Sequence, residues 1–111
     1  MKGQRSKVPL GTRKHLLKRL GFKNYKEYLK SDLWISIRNS VLQRDQYICK
    51  ICGGRAVQVH HRTYCWRSLI GERNEMLVSL CGGCHYEIEY KPDGRKRDIA
   101  HANSTLKHMI G

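Results

Sequence analysis

The sequence contains no run of about 18 apolar residues, the length a helix needs to cross a bilayer, so no membrane-spanning helix is expected. The N-terminus is basic but lacks the apolar stretch of a secretory signal, which makes a cytoplasmic protein the default expectation. Acidic residues are scarce, with 9 Asp+Glu against 22 Lys+Arg and a formal net charge of +13. Hydrophobic residues make up only 40% of the 111 positions. A chain of that length fits one domain with a limited core. An added staple, such as a structural metal, is therefore expected. No internal repeat is present beyond two similar cysteine pairs.

The positive charge is unevenly placed. Residues 1–31 carry ten Lys/Arg and a single acid, Glu27, and a second basic cluster is Arg95-Lys96-Arg97. Such a field attracts a polyanion and speeds its capture. A merely solubilising surface or affinity for anionic lipid is the alternative, and nucleic acid is the favoured partner for so basic a small domain.

Along the chain, residues 1–12 combine Gly, Pro and charge and read as a basic arm. Residues 13–30 read as two short helices separated at Gly21. Ser31 is a suitable N-cap with Asp32 in the first turn. Apolar residues at Leu33/Trp34, Ile37 and Val41 then recur at helical spacing to about Arg44, with Trp34 in the core. Residues 57–60 and 76–80 suit two short strands, and residues 65–75 a loop containing Gly71. The segment after Cys84 suits a helix stopped by Pro92, and residues 97–109 a weak terminal helix. Three regions result: a basic arm with short helices (1–30), a core (31–90) and a basic C-terminal tail (91–111).

Four of the five cysteines form two Cys-x-x-Cys pairs, Cys49/Cys52 and Cys81/Cys84, separated by residues 53–80. Four thiolates match the closed tetrahedral coordination of structural Zn²⁺. Glycine after the first pair lets the backbone fold back so that its amides face sulfur. Cys65 stands alone. Between the pairs lies His60-His61, and adjacent strand residues point to opposite faces. One imidazole can therefore ligate a metal while the other serves as a base. His85 and Glu89 stand at i, i+4, one face of a helix, and can clamp one divalent ion. A redox pair of cysteines and a solvated Glu89 are the plainer alternatives.

In this order the residues resemble the HNH endonuclease family, of the four-cysteine kind common among phage and bacterial enzymes. The matching positions are Trp34, Ile37, Arg38, Val41, Leu42, Arg44, Asp45, Tyr47, Cys49, Cys52 and Gly53, then Ala56, Val59, His60, His61, Thr63 and Tyr64, then Leu80, Cys81, Cys84 and His85. The resemblance covers roughly residues 28–90. The resemblance implies an α+β fold: a small ββα-metal (His-Me finger) domain stapled by a four-cysteine zinc site, with the helices of the N-terminal region outside it. It implies hydrolysis of DNA phosphodiester bonds in a bacterial or phage-infected cytoplasm, with RNA as the other substrate. It implies His61 as general base, and His60, His85 and Glu89 as ligands of one catalytic divalent ion, Mg²⁺ or Mn²⁺. His60 and His85 thus count with His61 as catalytic positions. The water so activated would attack phosphorus in line, and the ion would stabilise the transition state and the departing 3′ oxygen. Arg38, Arg44, Arg62, Arg95, Lys96 and Arg97 are the expected DNA contacts. Many members place an asparagine just before the apolar residues of the second strand. Here that position is Met76, and a backbone carbonyl is expected to orient the His61 ring instead. The competing reading is a non-catalytic zinc-knuckle module that binds nucleic acid. It explains the cysteines and the charge but leaves the three histidines unused.

Overall fold

The computed structural model describes residues 9–110, so most of the basic arm, including Lys2, Arg5 and Lys7, lies outside the described residues. The chain begins with two short helices, α1 (Arg13–Arg19) and α2 (Tyr25–Leu29). Each is capped by a side chain: Thr12 accepts from the His15 amide, and Asn24 from the Glu27 amide. These caps satisfy amides that a helix start otherwise leaves without partners. The longest helix, α3 (Asp32–Arg44), starts at Ser31, whose hydroxyl accepts from the Trp34 amide at 3.1 Å. Its apolar stripe of Trp34, Ile37 and Val41 is buried, together with Leu42.

Two strands follow, β1 (Gln58–His61) and β2 (Leu77–Leu80), paired antiparallel with His60 opposite Val78 and His61 opposite Leu77. Their connection holds a short helix, α4 (Trp66–Leu69), where a loop was expected. Buried Leu69 supplies the reason: it joins the core, and its carbonyl accepts the Tyr28 hydroxyl at 2.8 Å. Burial of an apolar side chain and one buried hydrogen bond thus outweigh a sequence with little helical period. Helix α5 (Gly82–Glu89) leaves β2 directly, with Cys81 as its N-cap, and α6 (Ile99–Ile110) closes the chain. The outcome is a small α+β domain: a two-stranded antiparallel hairpin followed by a helix, with four cysteines beside the hairpin.

Helix α3 packs across both strands, α5 packs on β1, and α6 packs on α5. The core joins Leu16 and Leu17 of α1, Tyr28 of α2, the α3 stripe, Val59, Leu77, Leu80, Ile88 and Leu106. Residues 91–110 are therefore not only a basic tail, because Ala102 and Leu106 of α6 are buried. No helix among the described residues is long and apolar enough to cross a membrane.

Candidate metal centres

The four cysteines converge. Cys49, Cys52, Cys81 and Cys84 place their sulfurs within 4.8 Å of one another. Cys52 and Cys81 Sγ are 3.7 Å apart. A tetrahedral zinc ion with bonds of about 2.3 Å puts its ligands about 3.8 Å apart, so the spacing fits that ion. The local backbone explains the convergence. Gly53 sits at φ +77, in the left-handed region that glycine tolerates best. The Gly54 amide then donates to Cys52 Sγ at 3.4 Å, and the Cys84 amide to Cys81 Sγ at 3.3 Å. The Lys50 amide donates to Ser79 O at 3.0 Å and ties the first turn to β2.

The charges favour the same ion. Burial pushes the Cys49 thiol up, but the amides of Cys52, Cys81 and Ile51 outweigh it and bring the value down to about 6. Cys84 is raised, by burial and by the neighbouring cysteines. Four crowded thiols cannot all ionise without a cation, and Zn²⁺ supplies one. Cys65 lies apart, against Ser68 Oγ at 3.3 Å.

A second group lies where β1 meets α5. His60, His85 and Glu89 bring one ligand atom each to within 4.8 Å of one another. His60 Nδ1 is 3.4 Å and His85 Nε2 is 3.8 Å from Glu89 Oε2. Ligands of a divalent ion at about 2.1 Å stand roughly 3.0–3.4 Å apart, so small side-chain shifts would let the group hold a metal. The other carboxylate oxygen, Oε1, takes Lys96 Nζ at 2.7 Å. Glu89 is thus divided between a lysine and the two histidines. The neighbouring His60, aided by Lys96, holds its carboxyl down to about 2 against the opposing effect of burial. Burial lowers His85 below the usual imidazole value.

Alternation along β1 separates the two adjacent histidines. Gln58 and His60 face α5, where Gln58 Oε1 pairs with His85 Nδ1. His61 faces α3 and α2. Its ring lies 4.5 Å from Trp34, 5.1 Å from Tyr64 and 6.0 Å from both Tyr25 and Tyr28, centroid to centroid. Burial first, then the charges of His60 and Arg13, lower its value to about 3. The expectation that a backbone carbonyl orients this ring is corrected here. The Tyr25 hydroxyl stands 3.1 Å from Nδ1, because α2 folds back over the end of β1. Among the described residues, His61 Nε2 is buried without a partner.

Both histidines nevertheless line one cleft of about 580 Å³, together with Trp34, Ile35, Arg38, His85, Glu89 and Lys96. A second cleft of about 590 Å³ shares Arg13, Tyr64, Glu89 and Lys96 with it and adds Arg97. His60 and His85 therefore line the first cleft, and Glu89 sits where the two basic clefts meet. Of the expected DNA contacts, Arg38, Lys96 and Arg97 line these clefts, whereas Arg44, Arg62 and Arg95 line neither. Arg44 spends its guanidinium on Asp45 and on the carbonyls of Asn74 and Leu77, and Arg95 pairs with Asp93. Sequence reasoning missed Arg13, whose guanidinium lies 4.3 Å from the Tyr25 ring and 4.7 Å from the Tyr64 ring. It also missed Tyr25, Gln58 and Asn103. Gln58, two residues before His60 on β1, could have been found from strand alternation, whereas Arg13, Tyr25 and Asn103 stand at no telling spacing from the histidines and only packing brings them there. No family model matches this chain, and no curated protein matches it either.

Proposed function

We propose that this protein is a metal-dependent endonuclease of the HNH type that hydrolyses phosphodiester bonds in DNA. The observation that carries the reading is the His60, His85 and Glu89 group in a basic cleft that His61 also lines, with Glu89 shared by a second basic cleft. In this reading the hairpin and α5 form a ββα-metal unit, and the four cysteines hold the zinc that keeps it rigid.

His60, His85 and Glu89 hold the catalytic divalent ion. Once bound, Mg²⁺ or Mn²⁺ supplies Lewis-acid stabilisation of the charge that develops on the phosphate and the leaving oxygen. His61 takes the proton from the attacking water. Its low value keeps the imidazole neutral throughout the physiological range, as a base must be. The nitrogen that accepts the proton is the one that Tyr25 does not engage. A buried polar atom without a partner costs about 1–3 kcal/mol, and a site for a reacting water offsets that cost. Arg13, Arg38, Lys96 and Arg97 draw the phosphates into the clefts.

The enclosure of His61 among four aromatic rings, at 2% exposure, favours a second reading. In that reading the protein is a non-catalytic zinc-knuckle module that binds nucleic acid. One experiment separates the two. Zinc-loaded protein is incubated with supercoiled plasmid, with and without added Mg²⁺ or Mn²⁺. Nicking that needs the added ion and is lost in His60→Ala supports the nuclease. Binding without nicking under every ion supports the module.

A further inference from the structure

We infer that Asn103, on the C-terminal helix α6, is a positioning residue that fixes the tautomer of His60. The inference rests on the reading of His60, His85 and Glu89 as a metal site. Asn103 Nδ2 donates to the backbone carbonyl of Arg62 at 2.7 Å, and Asn103 Oδ1 lies 3.2 Å from His60 Nε2. A carbonyl can only accept, so the amide cannot be turned the other way without setting two acceptors face to face. Oδ1 must therefore face His60, and an acceptor there requires that Nε2 carry the proton. The lone pair of the neutral ring then lies on Nδ1, the atom 3.4 Å from Glu89 Oε2.

The second histidine also has a carboxamide partner. Gln58 Oε1 accepts from His85 Nδ1 and leaves Nε2 directed at Glu89. Both partners are carboxamides. A carboxamide orients a ligand without adding charge, whereas a carboxylate would add one negative charge to each. Two neutral imidazoles, one carboxylate and a divalent ion leave a centre of net positive charge, which suits an anionic phosphodiester. The arrangement also gives α6 a role. Buried Ala102 and Leu106 dock the helix and set Asn103 over the end of β1.

The test uses the full-length, zinc-loaded protein with histidines labelled with ¹⁵N. At pH 8 and before any second metal is added, long-range ¹H–¹⁵N spectra should show His60 protonated on Nε2. The His60 signals are assigned by their loss in His60→Ala. Binding of Mn²⁺, followed by electron paramagnetic resonance, should weaken about 10–100-fold in Asn103→Leu, the usual effect of losing a partner that orients a ligand. Asn103→Asp keeps the side-chain volume but cannot donate to the Arg62 carbonyl, so it should also weaken Mn²⁺ binding, whereas a mere packing role predicts wild-type affinity. Zinc content and melting temperature are followed in every variant. If His60→Ala loses Mn²⁺ while Asn103→Leu binds it as wild type does, the positioning role is wrong and the metal site stands. If neither variant changes Mn²⁺ affinity, the metal reading fails as well. Should Asn103→Leu fail to fold, the wild-type spectrum and Asn103→Asp decide, and a His60 protonated on Nδ1 overturns the inference.

Discussion

His60 and His61 are neighbours in sequence with opposite surroundings, and single substitutions should separate their roles. His61→Ala removes a candidate base but leaves His60, His85 and Glu89 in place. Cleavage should fall about 10²–10⁴-fold, the usual worth of a positioned base, while binding of DNA and Mn²⁺ survives. His60→Ala and His85→Ala should instead be partly rescued by raising the metal concentration. A metal titration of the cleavage rate checks this, and rescue of His61→Ala but not of His60→Ala would mean the roles are reversed. Glu89→Gln belongs with the ligand variants, because one of its oxygens faces both histidines. Tyr25→Phe removes the one hydroxyl at His61 Nδ1 yet keeps the ring against Tyr28 and Tyr64. It should cost about 1–3 kcal/mol of stability by leaving buried Nδ1 without its partner, and lower the cleavage rate at saturating metal. An unchanged rate would show that Tyr25 acts on His61 by packing alone.

At the scale of elements, the two cysteine turns join segments that are distant in sequence. The first turn follows α3, and the second opens α5, so one ion bound by the four cysteines would tie α3, β2 and α5 together. Metal affinity and fold stability are then one quantity. Cys52→Ser or Cys84→Ser should give protein that is unfolded or aggregated and lacks zinc. A folded Cys84→Ser variant with stoichiometric zinc would overturn the assignment. Cys65→Ser should leave zinc content and folding nearly unchanged, because Cys65 lies outside the cluster. The turn after α4 is a separate weak point. Gly71 has φ +84, and a Cβ there would lie 2.8 Å from Ile37 Cγ1 of α3. Gly71→Ala combines a strained backbone with a clash against a buried side chain, and should cost on the order of 1–3 kcal/mol. Urea unfolding of the zinc-loaded protein measures it, and an unshifted midpoint would rule out both effects.

For the whole molecule, the proposed nuclease function divides the work: charge would draw a polyanion in, and geometry would set where it reacts. Residues 1–8 hold Lys2, Arg5 and Lys7, three of the 22 basic residues, and the clefts hold others. Removing residues 1–8 should weaken DNA binding and flatten its salt dependence by up to about three phosphate contacts. The single-turnover rate at saturating DNA should stay close to wild type. A large fall in that rate would show that the N-terminal residues also place the scissile phosphate. Helices α1 and α2 present a different case, since Arg13 and Tyr25 stand at the cleft itself.

The sequence by itself determined what depends on local order. Ser31 marks the start of α3, and the period of Trp34, Ile37 and Val41 marks its buried face. The two Cys-x-x-Cys spacings mark a four-thiol site, and the i, i+4 spacing of His85 and Glu89 marks one helix face. Period-two alternation separates His60 from His61 before any fold is known. Tertiary structure decided what surrounds these groups. Tyr25 reaches His61 across 36 positions, and Asn103 reaches His60 across 43. Arg44 carries the same charge as Arg38 in the sequence, yet its guanidinium is taken up by the carbonyls of Asn74 and Leu77, 30 and 33 positions away. Leu69 turns an expected loop into α4 because a buried carbonyl and an apolar side chain find partners in α2 and the core. Helix periods and ligand spacings are set by bonds and dihedral angles along the backbone, so they can be read in order. Partners that orient a ring are set by which surfaces exclude water together, and no spacing along the chain encodes that.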